Sequence, residues 1–148
     1  MNIRIRQAVK SDLSHILEIY AQPDMDDGDV LEIPEAEAVF DRMEMYPDYR
    51  FYVAESDGAI VGTFALAIMD NLAHRGAPSG LIEDVAVVTG YQGKGIGKRM
   101  MRYALDICRE KGCYKAALSS NMKRTKAHRF YEGLGFERHG YSFTITPG

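Results

Sequence analysis

The hydrophobic period changes several times along the first half of the chain, and each change marks a predicted element. Asn2 to Val9 alternates between apolar and polar side chains, which predicts a half-buried strand. Ser11 and Asp12 supply an N-cap and an acidic first turn for a helix that runs to about Tyr20. A second helix is predicted from Pro34 to Met45, because proline fits the first helical turn. The residues expected to face the core from these helices are Leu13, Ile16, Leu17, Tyr20, Ala38, Val39, Met43 and Tyr46.

Between the two helices, Gln22 to Ile33 has no periodicity and is predicted to be a mobile loop rich in acidic residues. Two strands follow, Phe51 to Glu55 and Ala59 to Met69, joined by Ser56-Asp57-Gly58. Asp-Gly between two apolar runs is a strong signal for a hairpin. Asp70 to Gly80 is then predicted to turn the chain into the next strand.

The stretch from Leu81 to Met101 predicts a strand, a glycine-rich turn and a helix. Leu81 to Val88 is mostly apolar and β-branched, as in a strand buried on both faces. Gly93, Gly95 and Gly97 then occupy alternate positions. The helix is expected to bury Ile96, Met100, Met101, Ala104, Leu105 and Cys108. Because its first turn offers free backbone N–H groups and the positive end of the helix dipole, this stretch predicts an anion site.

Two common phosphate loops do not fit this spacing. A Walker-type loop has Ser or Thr after its lysine, whereas Gly95 follows Lys94 here. A dinucleotide fingerprint has its third glycine one residue later and an acidic residue in the following strand. The next predicted strand, Cys113 to Ser119, contains no acidic residue.

A second motif lies near the C-terminus. A helix is predicted from Thr125 to Leu134, ended by Gly135, and closing strands are predicted from Phe136 to Ile145. The helix carries the run Ala127-His128-Arg129-Phe130-Tyr131-Glu132-Gly133-Leu134-Gly135-Phe136. This run resembles the Ala-x-x-Phe-Tyr-Glu-x-x-Gly-Phe pattern of the GCN5-related N-acetyltransferases (GNAT). Gln92-x-x-Gly95-x-Gly97 resembles the pyrophosphate loop of the same family.

The resemblance covers Ile3 to about Phe143. It implies an α/β fold with a mixed, mostly antiparallel central sheet, in which strands 4 and 5 are parallel and splay apart, and with helices on both faces. The chain has 148 residues, of which 46% are hydrophobic and 26% charged. It is therefore expected to form a single N-acetyltransferase domain over residues 1–148.

The resemblance also implies acetyl-coenzyme A (acetyl-CoA) as cosubstrate. The residues expected to contact it are Val85, Val87, Gln92, Gly93, Lys94, Gly95, Ile96, Gly97, Lys98, Asn121 and Tyr131. Asn121 is included although the asparagine of many relatives stands where this chain has Arg124. Within the family, Leu118 to Arg124 resembles aminoalkylphosphonate acetyltransferases. Ile82 to Val87 and Gly112 to Lys115 resemble glucosamine-6-phosphate acetyltransferases.

Direct transfer of an acetyl group to a primary amine needs a base, because an alkyl amine has a pKa near ~10 and arrives protonated. Glu83 and Asp84 are the candidates, and side chains alternate along a strand, so only one of them is expected to face the substrate. The resemblance favours Glu83, with Asp84 as the alternative. It implies Tyr131 as the acid for the departing thiolate. A backbone N–H near Val85 is expected to bind the oxyanion.

Charge is distributed unevenly: residues 1–60 hold 14 acids and 5 bases, and residues 85–131 hold 11 bases and 2 acids. A basic half is typical of nucleic-acid binding, but the aromatic residues there form no stacking stripe, and the phosphates of coenzyme A explain the bias with fewer assumptions. The acidic loop from Asp24 to Asp29 either attracts a cationic amine or is ordinary solvated loop. His74 and Arg75 either contact an anionic group of the substrate or are idle turn residues.

The sequence therefore predicts an acetyltransferase of a small-molecule amine. The alternatives are a non-catalytic, acetyl-CoA-binding regulatory module and an acetyltransferase of a protein or peptide amine. Neither a nucleic-acid nor a membrane partner is expected. No metal is expected either, because the histidines lie far apart in the sequence. The absence of an apolar N-terminal segment predicts a cytoplasmic protein. Cys108 and Cys113 are expected to be buried thiols, and the resemblance favours a homodimer.

Overall fold

A computed structural model describes every residue from Met1 to Gly148 and contains one five-stranded sheet and four α-helices. The strands are β1 (Ile3–Gln7), β2 (Tyr49–Ser56), β3 (Ala59–Met69), β4 (Ser79–Val87) and β5 (Lys115–Ala117). The helices are α1 (Leu13–Tyr20), α2 (Ile33–Glu44), α3 (Ile96–Glu110) and α4 (Thr125–Gly133). The strands lie in the order β1-β2-β3-β4-β5, with β4 and β5 parallel and all other pairs antiparallel. This confirms the predicted mixed sheet.

The chain divides into two units. The first, Met1–Ala117, holds the whole sheet and α1 to α3, and the second, Leu118–Gly148, holds α4. None of the helices combines the length and the apolar character that a membrane span requires.

Helices cover both faces of the sheet in the first unit. Val53 of β2 packs in one buried cluster with residues of α1 and α2, among them Phe40. The next residue, Ala54, pairs with Gly62 of β3, and a Cβ added to Gly62 would lie 3.0 Å from Met100 Sδ of α3. Because successive residues of a strand point to opposite faces, α3 lies across the sheet from α1 and α2.

The β2–β3 hairpin was predicted accurately from local sequence signals, whereas the residues by which α2 faces the core were predicted less well. Asp57 and Gly58 have φ values of 50° and 85°, as a type I′ turn requires, and β3 has the predicted bounds. On α2 the buried residues are Ala36 and Phe40, whereas Ala38 and Tyr46 are exposed and Val39 and Met43 are half-buried. The prediction is therefore wrong for Ala38 and Tyr46, because Ala36 and Phe40, four residues apart, define the face that meets the core.

Asp12 is buried, but its side chain does not cap α1 as predicted. Its two carboxylate oxygens accept hydrogen bonds from the Arg6 guanidinium at 2.7 and 2.9 Å, and one of them also accepts the Val9 N–H at 2.8 Å. Arg6 Nε donates to Glu55 at 2.6 Å. The bidentate ion pair between Arg6 and Asp12 thus joins β1 to the start of α1, and the bond from Arg6 to Glu55 extends this link to β2.

The Asp12 ion pair predicts a pH-dependent stability. Hydrogen bonding from Arg6 lowers the pKa of the Asp12 carboxyl, and the Val9 N–H acts in the same direction. A group with a lowered folded-state pKa stabilises the fold above its unfolded pKa of about 3.9, and this contribution is lost as the pH falls through the folded pKa. Asp12→Asn is expected to reduce the free energy of unfolding by about 2 kcal/mol at neutral pH.

Urea unfolding of the wild type and Asp12→Asn across the acidic range measures this effect. The difference between the two proteins should shrink as the pH falls below about 4. A difference that stays constant down to that range would show that the Arg6 pair does not carry it.

The predicted closing strands are wrong: no residue from Phe136 to Gly148 belongs to a strand or a helix. Tyr141, Phe143 and Ile145 are 91%, 91% and 90% exposed. Their alternation signals β propensity, but a strand forms only where its backbone groups pair with a neighbour. For the same reason β5 is shorter than predicted, because only three of its residues pair with β4.

Candidate active site

β4 carries a bulge at the two candidate bases. On β4 two residues, Asp84 and Val85, lie opposite one residue of β3, Phe64. Asp84 adopts a left-handed backbone conformation with φ of 54°. Such a bulge interrupts the alternation of side chains and leaves a backbone group unpaired. Glu83 and Asp84 are both exposed, so the assumption that only one of them can reach a substrate does not hold.

Both carboxylates act on the same tyrosine of β2. Burial raises the pKa of the Tyr49 hydroxyl, and the negative charges of Glu83 and Asp84 raise it further. Two neighbours on a regular strand would point away from each other. Here the charges of both residues influence the Tyr49 hydroxyl.

The acidic loop reaches this region. Although the Asp84 residue is exposed overall, partial desolvation of its carboxyl raises the pKa, and the charge of Asp26 raises it further. The Asp26 N–H donates to the Tyr20 carbonyl at 2.8 Å, and the Gly28 N–H donates to the Ala21 carbonyl at 2.9 Å, so successive turns hold the loop to the end of α1. Tyr20 Oη donates to the Asp84 carbonyl at 3.4 Å. The loop therefore adds the charge of Asp26 to those of Glu83 and Asp84.

One edge of β4 is open beside these carboxylates. β5 pairs with β4 only from Ser79 to Leu81, so Ile82 to Val87 has no partner strand on that side. Free backbone groups along an open edge can bond an extended ligand as a further strand would. The splayed parallel pair implied by the family resemblance is thus present in outline.

The glycine-rich segment after β4 leaves backbone donors at the start of α3. Gly95 precedes the helix with φ of 85°, and no side chain caps it. The Arg99 N–H donates to the Gly95 carbonyl at 3.1 Å, which leaves the N–H groups of Ile96 to Lys98 without helical partners. A Cβ added at Gly93 or Gly95 would meet no atom within 4 Å. Donors, helix dipole and open space together fit a diphosphate.

Side chains of the same segment supply polar and basic groups. Lys94 Nζ lies 5.6 Å from the centre of the Tyr91 ring, and Lys98 is exposed in the first turn of α3. Gln92 Nε2 donates to the Val87 carbonyl at 3.3 Å, so two predicted cosubstrate contacts bond to each other. We call Val88 to Lys98 the cosubstrate loop.

Tyr131 lies on α4 in the second unit. Its ring meets Phe130 and Phe136 edge-on, with centroids 5.2 and 5.9 Å away. Burial raises the pKa of the Tyr131 hydroxyl, while the positive charge of Arg124 lowers it. The net effect keeps the hydroxyl protonated at neutral pH, as a proton donor must be.

Asn121 is a predicted cosubstrate contact, but its side-chain oxygen is hydrogen-bonded within its own turn. Its Oδ1 accepts the Lys123 N–H at 2.9 Å, and its carbonyl accepts from Arg124 N–H at 3.0 Å and from His128 Nε2 at 2.7 Å. The turn thereby leads into α4.

His74 and Arg75 lie away from the carboxylates. Both have left-handed backbones, with φ of 54° and 58°, and the His74 ring stacks on Tyr114 at 3.9 Å between centroids. Tyr114 directly precedes β5, which begins beside Ser79. Glu83 lies four residues beyond Ser79 on β4, a separation of roughly 13 Å along the strand. Their role as substrate contacts stays a prediction.

The described residues contain no group of three or more His, Cys, Asp or Glu side chains arranged to hold a metal ion. Both cysteines are free thiols, Cys108 buried and Cys113 half-buried. Sequence reasoning missed Tyr49 and Gln22, which contact or influence the site from distant parts of the chain. No local motif marks them, because their roles depend on tertiary placement alone.

Comparisons with known proteins found a matching family model and several relatives of this chain. A family model described as "Acetyltransferase (GNAT) family" matches residues 13–136. Glucosamine 6-phosphate N-acetyltransferase of Trypanosoma brucei brucei is 33% identical over 147 residues, covering 94% of this chain and 92% of that protein. Aminoalkylphosphonate N-acetyltransferase of Salmonella typhimurium is 31% identical over 98 residues, or 66% of this chain and 63% of that protein. The structure of a putative acetyltransferase from Agrobacterium tumefaciens superimposes with a TM-score of 0.90 at 32% identity, covering 97% of this chain and 99% of that one.

Proposed function

This chain belongs to the GNAT acetyltransferase family and is an N-acetyltransferase, and we propose that it moves the acetyl group of acetyl-CoA to the primary amine of a small molecule by direct attack. The observation that carries this proposal is the β4 bulge, which presents Glu83 and Asp84 beside an open strand edge. A thioester held along that edge would have its carbonyl next to two carboxylates.

The cosubstrate is proposed to bind through backbone groups. The N–H groups of Ile96 to Lys98 would take the diphosphate, helped by the charges of Lys94 and Lys98. The free edge of β4, including Val85 and Val87, would bond the amides of the pantetheine arm. Acetyl-CoA supplies the activated acetyl group, and the protein positions it.

Three groups would then carry the transfer. Glu83 takes a proton from the ammonium through water, so that the neutral amine attacks the thioester carbonyl and a C–N bond forms. A backbone N–H near Val85 would stabilise the negative charge on the carbonyl oxygen, since a bulge leaves a backbone group without a ladder partner. As the C–S bond breaks, the Tyr131 hydroxyl hydrogen-bonds to the departing sulfur and gives it a proton. Because a thiol has an ordinary pKa of about 8.5, lower than that of a tyrosine, the hydrogen bond is the main stabilisation. The extra proton that the attacking nitrogen still carries passes through water to restore the tyrosine.

The acceptor is proposed to enter as a cation beside Asp84 and Asp26. Desolvation and the charge of Asp26 both raise the pKa of the Asp84 carboxyl, and a positive charge placed beside Asp84 would offset the repulsion. The two curated relatives described above are named for amines that also carry a phosphate or phosphonate, and an acceptor of this class is proposed here. A cytoplasmic location and a homodimer remain predictions from the sequence.

Free coenzyme A thiol released from acetyl-CoA measures turnover directly. The panel should contain glucosamine 6-phosphate, an aminoalkylphosphonate, the same amines without their phosphate or phosphonate, and a peptide with a free N-terminal amine. Thiol release with a small amine supports the proposal. Release with the peptide alone would move the activity to protein amines, and acetyl-CoA binding with no release from any amine would indicate a regulatory module.

Asp26→Asn tests the acceptor site through its pH dependence. Removing the Asp26 charge lowers the pKa of Asp84, so the acidic limb of kcat/KM for the amine should move to lower pH. Loss of one carboxylate should also raise the KM for the amine by about 2- to 5-fold. Asp57→Asn, which removes the same charge in the β2–β3 turn, is the control. An identical pH profile for Asp26→Asn and Asp57→Asn would separate Asp26 from the acceptor.

A further inference from the structure

The side chain of Gln22 connects the end of α1 to the start of the cosubstrate loop. Its Oε1 accepts hydrogen bonds from the Thr89 N–H at 2.7 Å and from the Thr89 hydroxyl at 2.9 Å. Its Nε2 donates to the Val87 carbonyl at 3.3 Å. The amide of Gln22 thus uses its donor and its acceptor to bind two nearby residues, Val87 at the end of β4 and Thr89 just beyond it.

The main chain of Gln22 holds the acidic loop. Its carbonyl accepts the Met25 N–H at 2.9 Å and the Asp27 N–H at 3.1 Å, on either side of Asp26. One residue therefore anchors both the loop that carries Asp26 and the loop that begins at Val88. No other residue in the structure bonds through its side chain to the cosubstrate loop and through its main chain to the acidic loop.

We infer that Gln22 is a positioning residue, which fixes the cosubstrate loop for acetyl-CoA and sets it relative to the loop proposed to receive the amine. This inference rests on the proposed function. Gln22 touches no reacting atom in the proposed scheme, so it should act on binding and leave the chemical step almost unchanged.

The composition of the cosubstrate loop explains why such an anchor matters. Gly90, Gly93 and Gly95 give this segment a large conformational freedom, which has to be restricted when a ligand binds. Hydrogen bonds that restrict the loop beforehand strengthen binding. Only an amide of this length provides both the acceptor for Thr89 and the donor for Val87, since a carboxylate would oppose the Val87 carbonyl.

Gln22→Met keeps the length of the side chain and removes its hydrogen bonds. Calorimetric titration of the full-length protein with coenzyme A, which requires no turnover, should give a Kd roughly 5- to 20-fold higher than the wild-type value. Hydrogen exchange at the Thr89 amide should be faster, and the KM for acetyl-CoA should rise while kcat changes by less than about 2-fold. Glu18→Gln, one helical turn earlier on the exposed side of α1, is the control and should match the wild type in all of these values.

The possible results separate this inference from the proposed function. If the wild type binds no coenzyme A, the proposed function fails and the inference fails with it. If the wild type binds and Gln22→Met binds equally well, or loses kcat without a change in Kd, the inference alone is overturned. Should Gln22→Met melt too early for titration, Gln22→Glu provides the same comparison, because it loses the donor to Val87 while keeping an acceptor for Thr89.

Discussion

Glu83→Gln is expected to lower kcat/KM for the amine by about 10²-fold at neutral pH. The substitution keeps the size of the side chain and removes the group proposed to take the ammonium proton. Because the amine is increasingly neutral as the pH approaches its own pKa near ~10, the deficit should shrink at high pH. The pH dependence of coenzyme A release by both proteins measures this effect.

Asp84→Asn is the matched comparison for Glu83→Gln. The two carboxylates are adjacent residues, one in the bulge and one beside it, and both are exposed, so a general loss of negative charge would affect them alike. The proposal assigns the base to Glu83 and ammonium binding to Asp84, and it therefore expects mainly a kcat effect for Glu83→Gln and mainly a KM effect for Asp84→Asn. Rates for Glu83→Gln that equal the wild type across the pH range would remove Glu83 from the mechanism.

Tyr131→Phe is expected to lower kcat by about 10²-fold with little change in the Kd for acetyl-CoA. Only the hydroxyl is lost, and the phenyl ring retains the edge-on contacts with Phe130 and Phe136. The thiolate would then have to leave without a proton donor. Single-turnover measurement of coenzyme A release isolates this step from product dissociation.

Phe130→Leu provides the control for Tyr131→Phe, because it disturbs the same aromatic cluster without touching the hydroxyl. A large loss of kcat in Tyr131→Phe with a small loss in Phe130→Leu assigns the effect to the proton donor. Full kcat in Tyr131→Phe would show that the leaving thiolate needs no help from this residue.

Local patterns were sufficient for much of the fold. The Asp57-Gly58 turn, the alternation in β3 and the helical spacing in α3 each produced an element close to its predicted bounds. Of the six residues predicted to be buried in α3, Leu105 is half-buried, and the other five are buried: Ile96, Met100, Met101, Ala104 and Cys108. These features depend on residues that are close together in the sequence, so a local pattern is enough to predict them.

Features that depend on pairing between distant segments were not predictable in the same way. The bulge at Asp84 arises from the register between β3 and β4, and a regular alternation therefore misplaced Asp84 relative to Glu83. Closing strands after Phe136 had the right residue types but no partner strand. The link from Gln22 to Thr89 crosses 67 positions and has no local signature.

Free N–H groups at the start of α3 are proposed to hold the diphosphate of acetyl-CoA. An amide NMR titration of the wild-type protein with acetyl-CoA observes these groups one by one. We expect saturable binding with one ligand per chain and the largest shifts at the amides of Ile96, Gly97 and Lys98. No binding, or saturable binding that leaves these three amides unshifted, would show that the diphosphate is not held there.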